Sequence, residues 1–121
     1  LTDALNDVAT AIETRLARKV FCHKGHQPPR ATVLSNVFHA YYVQQVQPYM
    51  ALVEQQGKPW LETHDTIMTR LPAPLRVQQY QRQVLSMKHP NSLWNQWVNA
   101  RNRHTKAWQT ILGQCNMMPS V

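Results

Sequence analysis

Acidic residues are scarce in this 121-residue chain: six, against thirteen Lys and Arg, for a formal charge of +7. None occurs from Thr66 to Val121, and none between Thr14 and Val53. Paired-carboxylate and two-metal chemistry need several acids at one site, so that pattern argues against both within this chain. Glycine is nearly as rare, with only Gly25, Gly57 and Gly113. A glycine-rich phosphate loop therefore has no material to form from. Two cysteines, Cys22 and Cys115, are too few for a disulfide framework. A reducing, cytoplasmic setting is the default expectation, with a single Cys22–Cys115 bridge as the alternative. No apolar run approaches the roughly 20 residues of a membrane span, so no membrane partner is expected.

What is present is apolar spacing at three and four residues, which predicts an all-α, compact bundle of about five helices with Pro-rich connections. One domain over residues 1–113 is expected, with 114–121 as a tail lacking any period. Leu5, Val8, Ala9, Ile12, Leu16 and Val20 give a helix over Thr2 to Phe21. Asp3 and Asp7 stand near its start and Arg15, Arg18 and Lys19 near its end, as the helix dipole favours. A second helix is expected over Ala31 to Gln56, kinked or divided at Pro48. Gly57-Lys58-Pro59 should end it and open a short helix to Arg70. Leu71-Pro72-Ala73-Pro74 reads as a stiff turn before a helix over Leu75 to Lys88. Tyr41 and Tyr42 cannot both face inward.

The last helix, Asn91 to Leu112, carries Trp94, Trp97 and Trp108 and no acid. Asn91 or Ser92 is placed to cap its start and Gly113 to follow its end. Its tryptophans track the apolar stripe and are expected in the core. Asn95, Asn99, Asn102, Lys106 and Gln109 form a second stripe of amides with one cation.

Candidate chemistry is sparse. Cys22, His23 and His26 match half of a metal site, but no second closely spaced pair completes it, so no metal and no cofactor is expected. His64-Asp65 is of a type used by metal phosphohydrolases, yet no acid follows it. An enzyme is not expected. The polar surface instead combines cations with 13 Gln and 7 Asn. Such a surface suits a phosphate backbone. The expected function is a non-catalytic nucleic-acid-binding module, for DNA or RNA, with little sequence specificity and other protein subunits as neighbours. Arg76, Arg82, Lys88, Asn99, Arg101, Asn102, Arg103 and Lys106 are the first candidate contacts, with Lys24 and Arg30 second. The outer faces of the last two helices would form the groove. The rival expectation is a protein-interaction module docking through the Trp-rich C-terminal helix.

Two short runs carry resemblances. Gln78 to Met87 resembles a stretch in bacterial replication-restart accessory proteins. His89 to Asn99 is similar to a piece of replication-terminus-binding protein. In size, charge and helical content the chain also resembles the small subunits of CRISPR ribonucleoprotein effectors. These resemblances imply nucleoprotein assembly and carry over no individual residue.

Overall fold

The computed structural model describes residues 1–23 and 26–118. The fold is all-α, with no strand among the described residues. Helix α1 spans Thr2–Arg18 and α2 spans Pro29–Val37. A π-helical stretch, Phe38–Val46, leads from α2 into α3, Gln47–Arg70. Helix α4, Leu75–Tyr80, passes into a second π-helical stretch, Gln81–Leu85, and α5 spans Leu93–Gln114.

The described residues thus make four continuous helical stretches rather than about five. The expected break at residues 57–59 does not occur. Pro59 stands inside α3, and Gly57 is packed there because a Cβ at that position would lie 3.0 Å from Trp94 Cζ3. Pro48 is also accommodated. The preceding stretch bonds from i to i+5, with Gln47 N–H donating to the Tyr42 carbonyl. Pro48 then falls in the first turn of α3, where its missing N–H is least costly.

The chain forms two compact units. One comprises Leu1–Gln47 with Ala100–Val121, the other Pro48–Asn99.

In the first unit, α1 buries Leu5, Ala9 and Ile12, one residue per turn along its inner face. Ala9 and Ile12 join Ala31 and Phe38 of the second helical stretch and Ala107, Trp108, Ile111 and Leu112 of α5 in one apolar cluster. Val8 and Val20, expected on the inner face, are exposed, and α1 ends at Arg18 rather than Phe21. Arg15 closes that end by donating to the Lys19 carbonyl at 2.8 Å.

Cys22 and Cys115 are joined by a disulfide and both are buried. The bridge was one of two sequence alternatives. It also removes Cys22 as a thiolate ligand, which leaves the His23–His26 half-site without its sulfur. Residues 114–118, expected as part of a tail, are held to the Cys22 segment. Phe21 N–H donates to Gln114 Oε1 at 3.1 Å, and Gln27 Nε2 donates to the Cys115 carbonyl at 2.8 Å.

The end of α5 also corrects the expected cap. The left-handed residue is Asn116, at φ 52°, not Gly113. Asn116 N–H donates to the Gly113 carbonyl and Met117 N–H to the Leu112 carbonyl. This is the paired bonding of a Schellman end, with Met117 packed against the core that holds Leu112. The extra turn carries the chain to Cys115, where it meets Cys22.

In the Pro48–Asn99 unit, the buried side chains are Met50, Leu61, Ser92 and Trp97 among the described residues. Ser92 is the N-cap of α5: its Oγ accepts from Asn95 N–H at 3.2 Å. Asn95 then donates through Nδ2 to the Met87 and His89 carbonyls, at 3.0 and 2.7 Å. Three hydrogen bonds made by the Ser92 and Asn95 side chains therefore close the turn before α5. The helix expected to reach Lys88 stops at Leu85, where Ser86 is extended and its Oγ accepts from the N–H groups of Lys88 and His89.

Candidate functional site

The ten candidate contacts are distributed over both units. Arg76 on α4, Arg82 in the following π-helical stretch, Lys88 in the turn and Asn99 on α5 belong to Pro48–Asn99. Arg30, Arg101, Asn102, Arg103 and Lys106 belong to the other unit. Lys24 lies outside the described residues. Arg76, Arg82, Lys88, Asn99, Asn102 and Lys106 are exposed.

Two of these cations are engaged within their own unit. Arg103 reaches from α5 to α1, where Nη2 meets Glu13 Oε2 at 2.7 Å and Nε meets Oε1 at 3.1 Å. It also donates to Thr10 Oγ1 at 2.9 Å and Asn6 Oδ1 at 3.2 Å. This two-point pairing lowers the Glu13 pKa from its ordinary value through the hydrogen bond from Arg103, and raises that of Arg103 through the same contact. Arg30 donates to the Phe21 carbonyl at 2.9 Å, with its guanidinium 5.1 Å from the Phe21 ring centroid. Arg103 ties α5 to α1 and Arg30 ties α2 to the segment before Cys22, and both uses compete with phosphate contact.

Lys88 is less committed. Lys88 Nζ is 3.9 Å from Asp65, with both side chains well exposed, so that ion pair is weak. Arg101 donates to Asn102 Oδ1 at 3.4 Å.

The tryptophans divide. Trp97 and Trp108 are buried, Trp94 is half-buried against the Gly57 position, and Trp60 is 53% exposed. Docking through the tryptophans of α5 would therefore need buried rings to turn outward.

A different apolar surface is exposed in the Pro48–Asn99 unit. Tyr49, Leu52, Trp60, Ile67 and Leu71 are each about half exposed or more. At about 100° per residue they occupy one sector roughly 100° wide, running about 33 Å along α3 and its last turn. Leu71 continues that turn, since its N–H donates to the Ile67 carbonyl. Glu54, Glu62 and Asp65 project to the opposite side of the helix by the same spacing. Leu75, Val77 and Tyr80 of α4 are exposed too, and α4 buries no side chain.

One buried polar side chain stands out in the first unit. His104 is 4% exposed and its Nε2 accepts from Trp108 Nε1 at 3.2 Å. A ring nitrogen that accepts cannot carry the proton, so the neutral ring is protonated at Nδ1. Burial lowers its pKa from the ordinary 6.5.

Among the described residues, no group of three His, Cys, Asp or Glu side chains is placed to hold a metal ion. No helix there is long and apolar enough to cross a membrane.

A family model described as "Protein of unknown function (DUF3080)" matches residues 1–119. The chain belongs to the DUF3080 family. No curated protein and no solved structure matches the chain.

Proposed function

We propose that this DUF3080 chain is a non-catalytic docking module whose α3 strip binds an acidic protein partner. The observation that carries the proposal is the strip itself: Tyr49, Leu52, Trp60, Ile67 and Leu71 exposed along one side of one helix. The strip is interrupted by the exposed Gln56 and Thr63, yet exposed apolar side chains recurring over that length on one side of a helix are characteristic of an interface. Trp and Tyr are the side chains that most often dominate binding energy. Arg70 falls at the edge of the same sector, and the unit's carboxylates face away. Arg76, Arg82 and Lys88 add positive charge without an acid between them in sequence. An apolar ridge with a cationic border complements an apolar groove with an acidic rim.

The second reading is the nucleic-acid module. It is favoured by the +7 charge and by the exposure of Arg76, Arg82, Lys88 and Lys106. Against it stand the internal engagement of Arg103 and Arg30. The disulfide bears on the setting: bridges of this kind persist in oxidising compartments, and we propose such a compartment in place of the cytoplasm.

Paired variants separate the two readings. Ile67→Glu with Leu71→Glu should abolish recovery of the partner and its reconstitution from purified proteins. Arg76→Glu with Arg82→Glu should weaken the same complex and steepen its recovery at high salt. Fluorescence anisotropy against single-stranded DNA, duplex DNA and RNA, at about 50 and 200 mM salt, tests the second reading. Tight, salt-sensitive nucleic-acid binding that ignores the apolar changes would replace the first reading with the second.

A further inference from the structure

A cavity of about 460 Å³ opens within the Leu1–Gln47 with Ala100–Val121 unit. Its volume falls inside the range of small-molecule sites. The floor is aromatic: Phe38 stacks on Tyr42 at 5.1 Å between ring centroids and meets Trp108 at 5.0 Å. The rim is polar, from His39, Gln47 and Gln109. We propose that this cavity is a binding site for one small, uncharged, ring-bearing molecule with a hydroxyl or carbonyl group at its rim.

Charge defines the first part of that assignment. Among the described residues no Lys, Arg, Asp or Glu lines the cavity, although the chain carries 19 such residues (13 cations and 6 acids). A charged occupant would lose its hydration there without gaining a counter-charge. Ring faces fixed by burial define the second part. Phe38 and Trp108 are both buried, so their stacking surface is held before any ligand arrives.

The backbone gives an independent reason. One wall is the π-helical stretch Phe38–Val46, continued by Gln47. A π-helix is rarer than an α-helix and is frequently found at functional sites. Here its wide turn brings Phe38, Tyr42, Val43 and Gln47, spaced four and five apart, onto the cavity side. Gln45 Nε2 donates to the Ala40 carbonyl at 3.2 Å, supporting the widened turn by a side-chain bond.

The rim supplies directional groups. His39 Nδ1 lies 2.8 Å from the Ser35 carbonyl, which can only accept, so Nδ1 carries the proton. The neutral ring then offers Nε2 as an acceptor. Tyr42 Oη and Thr105 Oγ1 are 3.3 Å apart and leave one hydroxyl proton to share with a ligand. The amides of Gln47 and Gln109 provide both donors and acceptors.

The test uses the purified, oxidised chain and the uncharged probe N-phenyl-1-naphthylamine. The expected result is saturable fluorescence enhancement at one probe per chain. Val43→Trp should fill the cavity and weaken binding at least about tenfold, with the thermal midpoint unchanged or raised. Gln109→Trp, on the exposed rim, should close the mouth and give the same loss without touching the core. Trp60→Ser with Ile67→Ser, on the α3 strip, should leave probe binding unchanged. The proposal is overturned by no saturable binding to the folded wild-type chain. It is equally overturned if binding survives both cavity variants or is lost with the α3 changes.

Discussion

Replacing Cys22 and Cys115 together by alanine removes a covalent ring closed over a sequence separation of 93 residues. On the chain-entropy account, closing a ring of that length stabilises the folded state by about 4.6 kcal/mol at 25 °C. Alanine is the appropriate replacement because both positions are buried and a hydroxyl would be left unsatisfied there. Some closure survives the change. Gln27 still reaches the Cys115 carbonyl, Gln114 still accepts from Phe21, and Arg30 still holds the Phe21 carbonyl. The expected loss is therefore about 3–5 kcal/mol. With a urea m-value near 2 kcal/mol/M, the midpoint should fall by about 2 M. The assay is urea unfolding by circular dichroism, with amide hydrogen exchange of Ala107 to Leu112 as a local readout. Dithiothreitol added to the wild-type chain should reproduce the variant. A loss below about 1 kcal/mol would refute the reasoning, because the ring would then contribute no more than one ordinary hydrogen bond.

Three further outcomes follow from particular contacts. Gly57→Val should destabilise the Pro48–Asn99 unit by about 1–3 kcal/mol, since its first added carbon already meets Trp94 at 3.0 Å; thermal unfolding followed by tryptophan fluorescence reads it. Asn95→Ala should cost about 1–2 kcal/mol by removing the donor to the Met87 carbonyl, the His89 carbonyl keeping Ser92 N–H, and faster amide exchange at the start of α5 should accompany it. For His104 the folded pKa lies below the unfolded value of 6.5, so acidification protonates the unfolded chain first. Stability is full above about pH 6.5 and falls as the pH drops from there toward the lowered folded value. His104→Gln, which keeps an acceptor for Trp108, should flatten that decline in a thermal-midpoint series from pH 8 to pH 5 (about the range in which histidine titrates).

The helical class was legible because apolar residues recur at three and four along α1 and α5, and Ser92 was readable as a cap. The number of helices was not. Pro48 and Gly57-Lys58-Pro59 signal breaks locally, yet a widened turn precedes Pro48 and α3 runs on through Gly57 and Pro59. Gly113 was a natural stop, but the pairing of Cys115 with Cys22 extends α5 and moves the left-handed position to Asn116. For the candidate contacts, sequence could name cations but not their partners. Arg103 and Arg30 look like free surface charges until Glu13, Thr10 and the Phe21 carbonyl are placed beside them. The α3 strip was hidden for another reason: the expected break at Gly57-Lys58-Pro59 puts Tyr49 and Leu52 on a different helix from Trp60 and Ile67, and only the continuous α3 brings them onto one side.

The central claim is that α3 carries the docking surface, and photo-crosslinking from position 60 tests it most directly. Benzoyl-phenylalanine in place of Trp60 should give one discrete protein adduct in intact cells, resistant to nuclease. The adduct should vanish when Ile67 and Leu71 are changed to Glu, and the crosslinked peptide should be rich in acidic residues. The same label at Gln109 should not yield it. An adduct from position 60 that is nuclease-sensitive, or the absence of any adduct there while the protein remains folded, would contradict the account.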